Sequence, residues 1–212
     1  GILLFDGSSK NDSRQRLARD ALRFCDLIGY GIMRFLYKLL GLAKPDRNRQ
    51  VIDSLHEKVV LATRQDAFYE LYCVQDTFDG RFETLLVLMT LVLRRLRALP
   101  APGPEVAQEL VDTMIRNFDI TLRQEGIGDV SVPKRIKKYA QAFAGRYSAY
   151  SAALDANDDV QLSTSLTRNL GETVNVERMI RYVHNTETRF ETCDLSIFTD
   201  GDVPFPDASK VD

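Results

Sequence analysis

The chain has 212 residues, of which 44% are apolar and 27% are charged, and its formal net charge is −2. This composition is typical of a soluble globular protein and excludes a wholly disordered chain. The apolar run at residues 84–93 is much shorter than the roughly 20 residues that a membrane-spanning helix needs. The three cysteines lack the spacing of a zinc site or a disulfide framework, so we expect reduced, buried thiols.

Apolar residues recur at helical spacing along nearly the whole chain, without the alternation that is typical of strands. This pattern predicts a single all-α domain of about seven or eight helices around a central apolar helix at 84–93. The predicted helices span residues 14–41, 46–63, 66–72, 80–99, 104–125, 132–155, 158–169 and 175–192. After Asp194 the periodicity ends, which predicts an irregular acidic tail that is extended or disordered.

The first predicted helix has an apolar side and a basic side. Arg34 and Lys38 lie four residues apart on the basic side. The apolar side consists of Ile32, Phe35, Leu36, Leu39 and Leu40. Such a segment either docks on the domain or lies in a membrane interface, and we expect docking because core-facing helices are the commoner case.

The predicted helix at 132–155 is basic and, as far as Leu154, contains no acid. Its basic residues are Lys134, Arg135, Lys137, Lys138 and Arg146, whereas the chain from Asp155 onward carries twelve acids and five bases. Residues Ile136, Tyr139, Ala140, Phe143, Tyr147, Tyr150 and Leu154 form an apolar stripe that predicts the core-facing side. The basic side is either a recognition surface or a solvated face that is basic by chance. A further alternative is that the acidic segment after Asp155 folds back over the basic side and masks it.

No catalytic or metal-binding motif is present in the sequence. His56 and His184 lie on different predicted helices, and the Gly126–Gly128 segment follows a helix rather than a strand, which excludes a dinucleotide loop. We therefore expect no enzyme activity and no cofactor. Arg81 follows the turn residues Asp79 and Gly80, where it either caps a neighbouring helix, pairs with an acid or belongs to a functional surface.

Three segments carry a resemblance to a known family. VQDTFDGRFETLLVLMTLVLRRLR (74–97) resembles the D-T-x-D-G-R-F opening and long apolar helix of the ubiquinol–cytochrome c chaperone family. FDITLRQEGIGDVSVPKRIKKYAQAFAGRYSAYSAAL (118–154) and DDVQLSTSLTRNL (158–170) are similar to its two other hallmark segments. The resemblance extends from about Met33 to Phe205. At Leu88-Met89-Thr90 the chain departs from bacterial members, which commonly carry a histidine and an aromatic residue there.

The resemblance implies an N-terminal extension at 1–32, a helical chaperone domain at 33–194 and an irregular tail at 195–212. It further implies a non-enzymatic assembly chaperone for cytochrome b of respiratory complex III, acting in the cytoplasm at the inner membrane of a bacterium. The implied client is cytochrome b or another complex III subunit. A ribosome or an anionic membrane surface is a further implied contact, and neither DNA nor a small-molecule substrate is expected.

The predicted working surface combines the basic helix with residues of the family segments. Its members are Asp76, Arg81, Arg123, Asp129, Lys134, Arg135, Lys137, Lys138, Arg146 and Tyr150. Some of them are expected only to brace the fold, since Asp129 suits a helix cap or a pair with Arg123. Two alternatives to a chaperone stay open, namely an electrostatic membrane- or RNA-binding helical module without a client, and a metal- or cofactor-dependent helical enzyme.

Overall fold

The computed structural model describes residues 49–124 and 131–211, and these are helical with connecting turns and no β-strand. The helices are α1 (Arg49–Ala62), α2 (Ala67–Glu70), α3 (Phe78–Ala98), α4 (Gly103–Gln124), α5 (Val132–Asp155), α6 (Asp159–Leu170), α7 (Val176–Glu191) and α8 (Leu195–Thr199), followed by a 3₁₀ helix (Ala208–Lys210). Each of the seven helices predicted between 46 and 192 has a counterpart. The predicted helix at 14–41, Cys25, the Gly126–Gly128 turn and Asp129 lie outside the described residues.

Helix α3 is the centre of the domain. Every residue from Phe82 to Leu93 is buried, and helices α1, α4, α5, α6 and α7 all pack against α3. A helix that is apolar on every side must be surrounded in this way, because any exposed face would leave apolar area in water. The prediction of a central apolar helix is confirmed. Leu88, Met89 and Thr90 are at most 1% exposed, so the departure from bacterial members lies in the core.

A close turn sets the start of α3. The Thr77 side chain accepts a hydrogen bond from the Gly80 backbone N–H at 3.1 Å, which satisfies one of the free donors of the first turn. A Cβ atom at position 80 would lie 1.9 Å from the Gln75 carbonyl oxygen, so only glycine fits there. This turn places Phe78 and Arg81 at the surface and Phe82 in the core.

Arginines tie the other end of α3 to α5, to α7 and to the turn after α7. Arg94 donates to Glu187 on α7 at 2.7 Å and to Asp155 at the end of α5 at 2.8 Å. Arg95 donates to the carbonyl oxygen of Cys193 at 2.9 Å and 2.7 Å through two of its nitrogens. Charge-assisted bonds of this kind fix how α5 and α7 lie against the central helix.

The acidic tail packs on the domain. Phe198 and Ala208 are fully buried, and the Tyr72 hydroxyl donates to the Ala208 carbonyl at 3.0 Å. The Ala208 backbone N–H donates to the Gln65 side-chain oxygen at 2.7 Å, and Lys58 donates to the Gly201 carbonyl at 2.5 Å. Much of the tail is irregular, as predicted, but it is not disordered. Its apolar residues are anchors that a periodicity search does not detect.

No helix in the described part of the chain combines the length and the apolar character that crossing a bilayer requires.

Candidate interaction surface

Four basic residues in the first two turns of α5 form one exposed patch. We call Lys134, Arg135, Lys137 and Lys138 the basic cluster, and all four are exposed. Among residues 49–124 and 131–211, no carboxylate lies within ion-pair distance of these side chains. The acidic tail lies against α1 and α2 and leaves the cluster uncovered, so the masking alternative is wrong.

The position of the basic cluster is unfavourable for the helix that carries it. The first turn of α5 contains no acid, and its N-cap residue Ser131 makes no side-chain capping bond. Lys134 and Arg135 lie in the first turn, where a cation opposes the helix dipole at a cost of about 0.3–1 kcal/mol. Lys134 also faces Lys137 and Lys138 at spacings of three and four residues, where like charges repel. Stability of the fold therefore does not account for the cluster.

Arg146 is only partly exposed and turns toward α3, so its prediction as part of the solvent-facing basic side is wrong. Its Nε and Nη2 atoms donate to the two carboxylate oxygens of Glu83 on α3, each at 2.5 Å. The Glu83 side chain is only 9% exposed, and a buried carboxylate needs such a partner. Burial raises the pKa of Glu83, and the Arg146 guanidinium opposes that shift. This pair holds α5 against α3.

Tyr150 also lies inside the fold. Its side chain is 2% exposed, and its hydroxyl accepts a hydrogen bond from Asn169 on α6 at 2.9 Å. Burial raises the pKa of this hydroxyl to about 12, so it stays protonated. Together with the Arg146–Glu83 pair, this contact joins all three of the family segments, and these two residues of the predicted surface brace the fold.

Asp76, Arg81 and Arg123 are exposed, and each forms an ion pair. Arg81 Nε lies 2.7 Å from Asp76, and its guanidinium lies over the Tyr69 ring at 5.7 Å from the centroid. Of the three roles considered for Arg81 in the sequence analysis, the structure shows the pair with an acid. Arg123 pairs with Asp119 on the same helix at 2.9 Å. Asp129 lies outside the described residues.

An apolar groove next to the basic cluster is a feature that the sequence did not predict. It has a volume of about 370 Å³ and opens between α1, the start of α3, the end of α4 and Tyr139 of α5. Phe82, Phe118 and Tyr139 form its floor, with ring centroids 5.1 to 5.7 Å apart. Phe78 stands at its edge and is 50% exposed. The three rings come from three helices, so no local pattern reveals them.

The two histidines have structural partners. His56 is buried, and its Nδ1 atom lies 3.1 Å from the Asn117 side-chain nitrogen. Burial and the nearby Arg116 lower its pKa from 6.5 to about 4, against the opposing effect of Asp53, so His56 is neutral at pH 7. His184 Nε2 lies 2.7 Å from Asp159.

The described cysteines are free thiols in different surroundings. Cys193 is buried, as expected, whereas Cys73 is exposed, so the prediction of buried thiols is wrong for Cys73. In the described ranges, no group of three or more His, Cys, Asp or Glu side chains is arranged to hold a metal ion.

Comparison with known proteins agrees with the three family segments. Residues 70–205 match the sequence model of the ubiquinol–cytochrome c chaperone family. A crystal structure of the Cbp3 homolog from Brucella abortus is 36% identical in sequence and superposes with a TM-score of 0.69. The similarity covers 78% of this chain and 93% of that one. No curated protein was found to match the chain. The chain belongs to the ubiquinol–cytochrome c chaperone family.

Proposed function

We propose that the chain is a non-enzymatic assembly chaperone for cytochrome b of the ubiquinol–cytochrome c reductase, acting at the cytoplasmic face of a bacterial inner membrane. The family and the solved Cbp3 homolog support a role in assembling this complex. His56 contacts Asn117 and Arg146 pairs with Glu83, so both side chains have structural partners within the fold. We propose that the chain acts through binding surfaces rather than through catalysis.

The basic cluster is the observation that carries the surface part of the proposal. Four exposed cations sit where they destabilise their own helix and have no carboxylate beside them in the described structure. A surface of this kind attracts the phosphates of ribosomal RNA or of anionic lipids. A chaperone that receives a membrane subunit during its synthesis works close to both. We propose that the basic cluster holds the chain at one of these surfaces.

Recovery of cytochrome b with the tagged chain tests the client. The tagged protein is crosslinked in cells and purified, and cytochrome b peptides are quantified by mass spectrometry against an untagged control. Enrichment of cytochrome b above other membrane proteins of similar abundance is expected. Recovery of membrane proteins in proportion to their abundance alone would favour the electrostatic module without a client.

A further inference from the structure

We propose that the apolar groove beside the basic cluster binds the apolar face of a helical peptide segment that carries carboxylates along its flank. This inference rests on the proposed function, because such a segment is the part of the client that the chaperone would hold. The observations that carry it are the floor of the groove, the charges at its rim and the absence of a strand edge in residues 49–124 and 131–211.

The floor is apolar, with Phe82 buried and Phe118 and Tyr139 partly exposed. Phe82, Phe118 and Tyr139 contact one another at ring-centroid distances of 5.1 to 5.7 Å, so each ring is held by the other two. Phe78, half exposed at the edge, extends this surface toward solvent. A volume of about 370 Å³ is within the range of about 300–1,000 Å³ for sites that bury a ligand. The groove therefore has room for the side chains of one face of a helix.

The rim is positive. Arg64, which follows α1, and Arg81 of α3 line the groove, and among residues 49–124 and 131–211 no acidic residue does. Arg64 is exposed, and the charge of Arg81 is offset by Asp76 at 2.7 Å. His56, which is buried behind the groove, is neutral at pH 7. Lys138 of the basic cluster directly precedes Tyr139 in the sequence. An occupant with carboxylates beside its apolar face complements this rim, and one with basic flanks is repelled by it.

The groove favours a helix over an extended peptide. It is lined by side chains of helices, and the described part of the chain offers no strand edge that would pair with an extended backbone. A bound peptide must then satisfy its own backbone hydrogen bonds, as a helix does. An amphipathic helix meets such a groove with residues spaced by three and four, which project from one face.

The chain's own N-terminal apolar segment is a poor match for this site. From Leu27 to Pro45 the sequence carries Arg34, Lys38 and Lys44 and no acid. Placing these cations against Arg64 and Arg81 would oppose like charges. The charge pattern thus selects a partner with acidic flanks over this segment.

Fluorescence anisotropy with synthetic peptides and the full chain tests the inference. The probe is an amphipathic helix of leucine and alanine with glutamates beside its apolar face. The competitors are the same peptide with lysines in place of the glutamates, a peptide of residues 32–43, and an anionic lysophospholipid. Phe78→Ser and Arg64→Glu alter the groove at exposed positions. Val160→Ser and Arg168→Glu are the matched controls, because both side chains are exposed on α6.

The glutamate peptide is expected to bind the wild-type chain. Each groove variant should lower the affinity for this peptide about tenfold, as the loss of an interface anchor does. The two α6 variants should bind within about twofold of the wild type. Equal binding by the groove variants would overturn the inference. So would tighter binding of the lysine peptide or of residues 32–43, or displacement by the lipid alone. If groove variants still recover cytochrome b from cells as the wild type does, the groove inference fails while the chaperone function stands.

Discussion

The Arg146 guanidinium lies against the Glu83 carboxylate with two N–O distances of 2.5 Å, and it joins helix α5 to the start of the central helix α3. The two side chains are 22% and 9% exposed, so most of their charge has been removed from water. The ion pair connects two segments that carry the family resemblance. Its role is in the fold, while the basic cluster two turns earlier on α5 remains at the surface.

Breaking this pair should destabilise the protein. Arg146→Met leaves Glu83 buried without its cation, and an uncompensated buried charge of this kind costs about 3–5 kcal/mol. Urea denaturation followed by circular dichroism measures the loss. The double variant Glu83→Leu, Arg146→Met should recover most of it, because neither charge is then left alone. A single variant as stable as the wild type would show that the pair is not structural.

A charge in the middle of α3 should prevent folding. Leu86 and Leu91 are 0% and 2% exposed, with apolar neighbours on every side. Leu86→Asp or Leu91→Asp should cost several kcal/mol against a total stability of about 5–15 kcal/mol. Thermal unfolding of the variants measures the effect, with Val160→Asp as the control because Val160 is 78% exposed on α6. Cooperative unfolding of Leu86→Asp at the wild-type temperature would contradict a central position for α3.

His56 should make the protein less stable in mild acid. Because burial lowers its folded-state pKa from 6.5 to about 4, the unfolded chain binds a proton more readily between these values. Stability from this group is complete above pH 6.5 and is lost as the pH falls toward 4, by about 3 kcal/mol in all. Denaturant midpoints from pH 7 to pH 4 should therefore fall less steeply for His56→Gln than for the wild type. Parallel curves for the two proteins would contradict the buried, neutral histidine.

Charge reversal in the basic cluster should separate binding from stability. Lys134, Lys137 and Lys138 changed together to Glu should leave stability unchanged or slightly higher, because exposed charges contribute little and acids suit a helix N-terminus. Sedimentation with anionic liposomes and with ribosomes measures binding. Each lost contact near a charged surface is worth about 1 kcal/mol, so the triple variant should bind more than tenfold more weakly to its proper surface.

Salt and surface identity provide the controls for this experiment. Wild-type binding should fade as salt is raised, since phosphate contacts release counterions. If the triple variant loses binding to liposomes only or to ribosomes only, the surface that it no longer binds is the physiological one. Equal binding by the wild type and the triple variant to both surfaces at low salt would leave the basic cluster as a solvated face.

The sequence predicts elements well where the deciding forces are local or apolar. The run at residues 84–93 is almost wholly apolar, so its central position follows from composition alone. The pairing of Arg146 with Glu83 does not follow from composition, because it depends on how closely α5 packs against α3. The groove is also nonlocal, since Phe82, Phe118 and Tyr139 come from three helices. The lack of a period predicts an extended or disordered tail, yet Phe198 and Ala208 anchor the tail by burial.

The level of assembled complex III in cells that lack the chain tests the central claim most directly. Deletion should lower the assembled ubiquinol–cytochrome c reductase and its cytochrome b on native gels, with the cytochrome b transcript unchanged. Re-expression of the wild-type chain should restore both, and the triple basic-cluster variant should restore them only in part. Normal amounts of assembled complex and of cytochrome b in the deletion strain would contradict the proposed chaperone function.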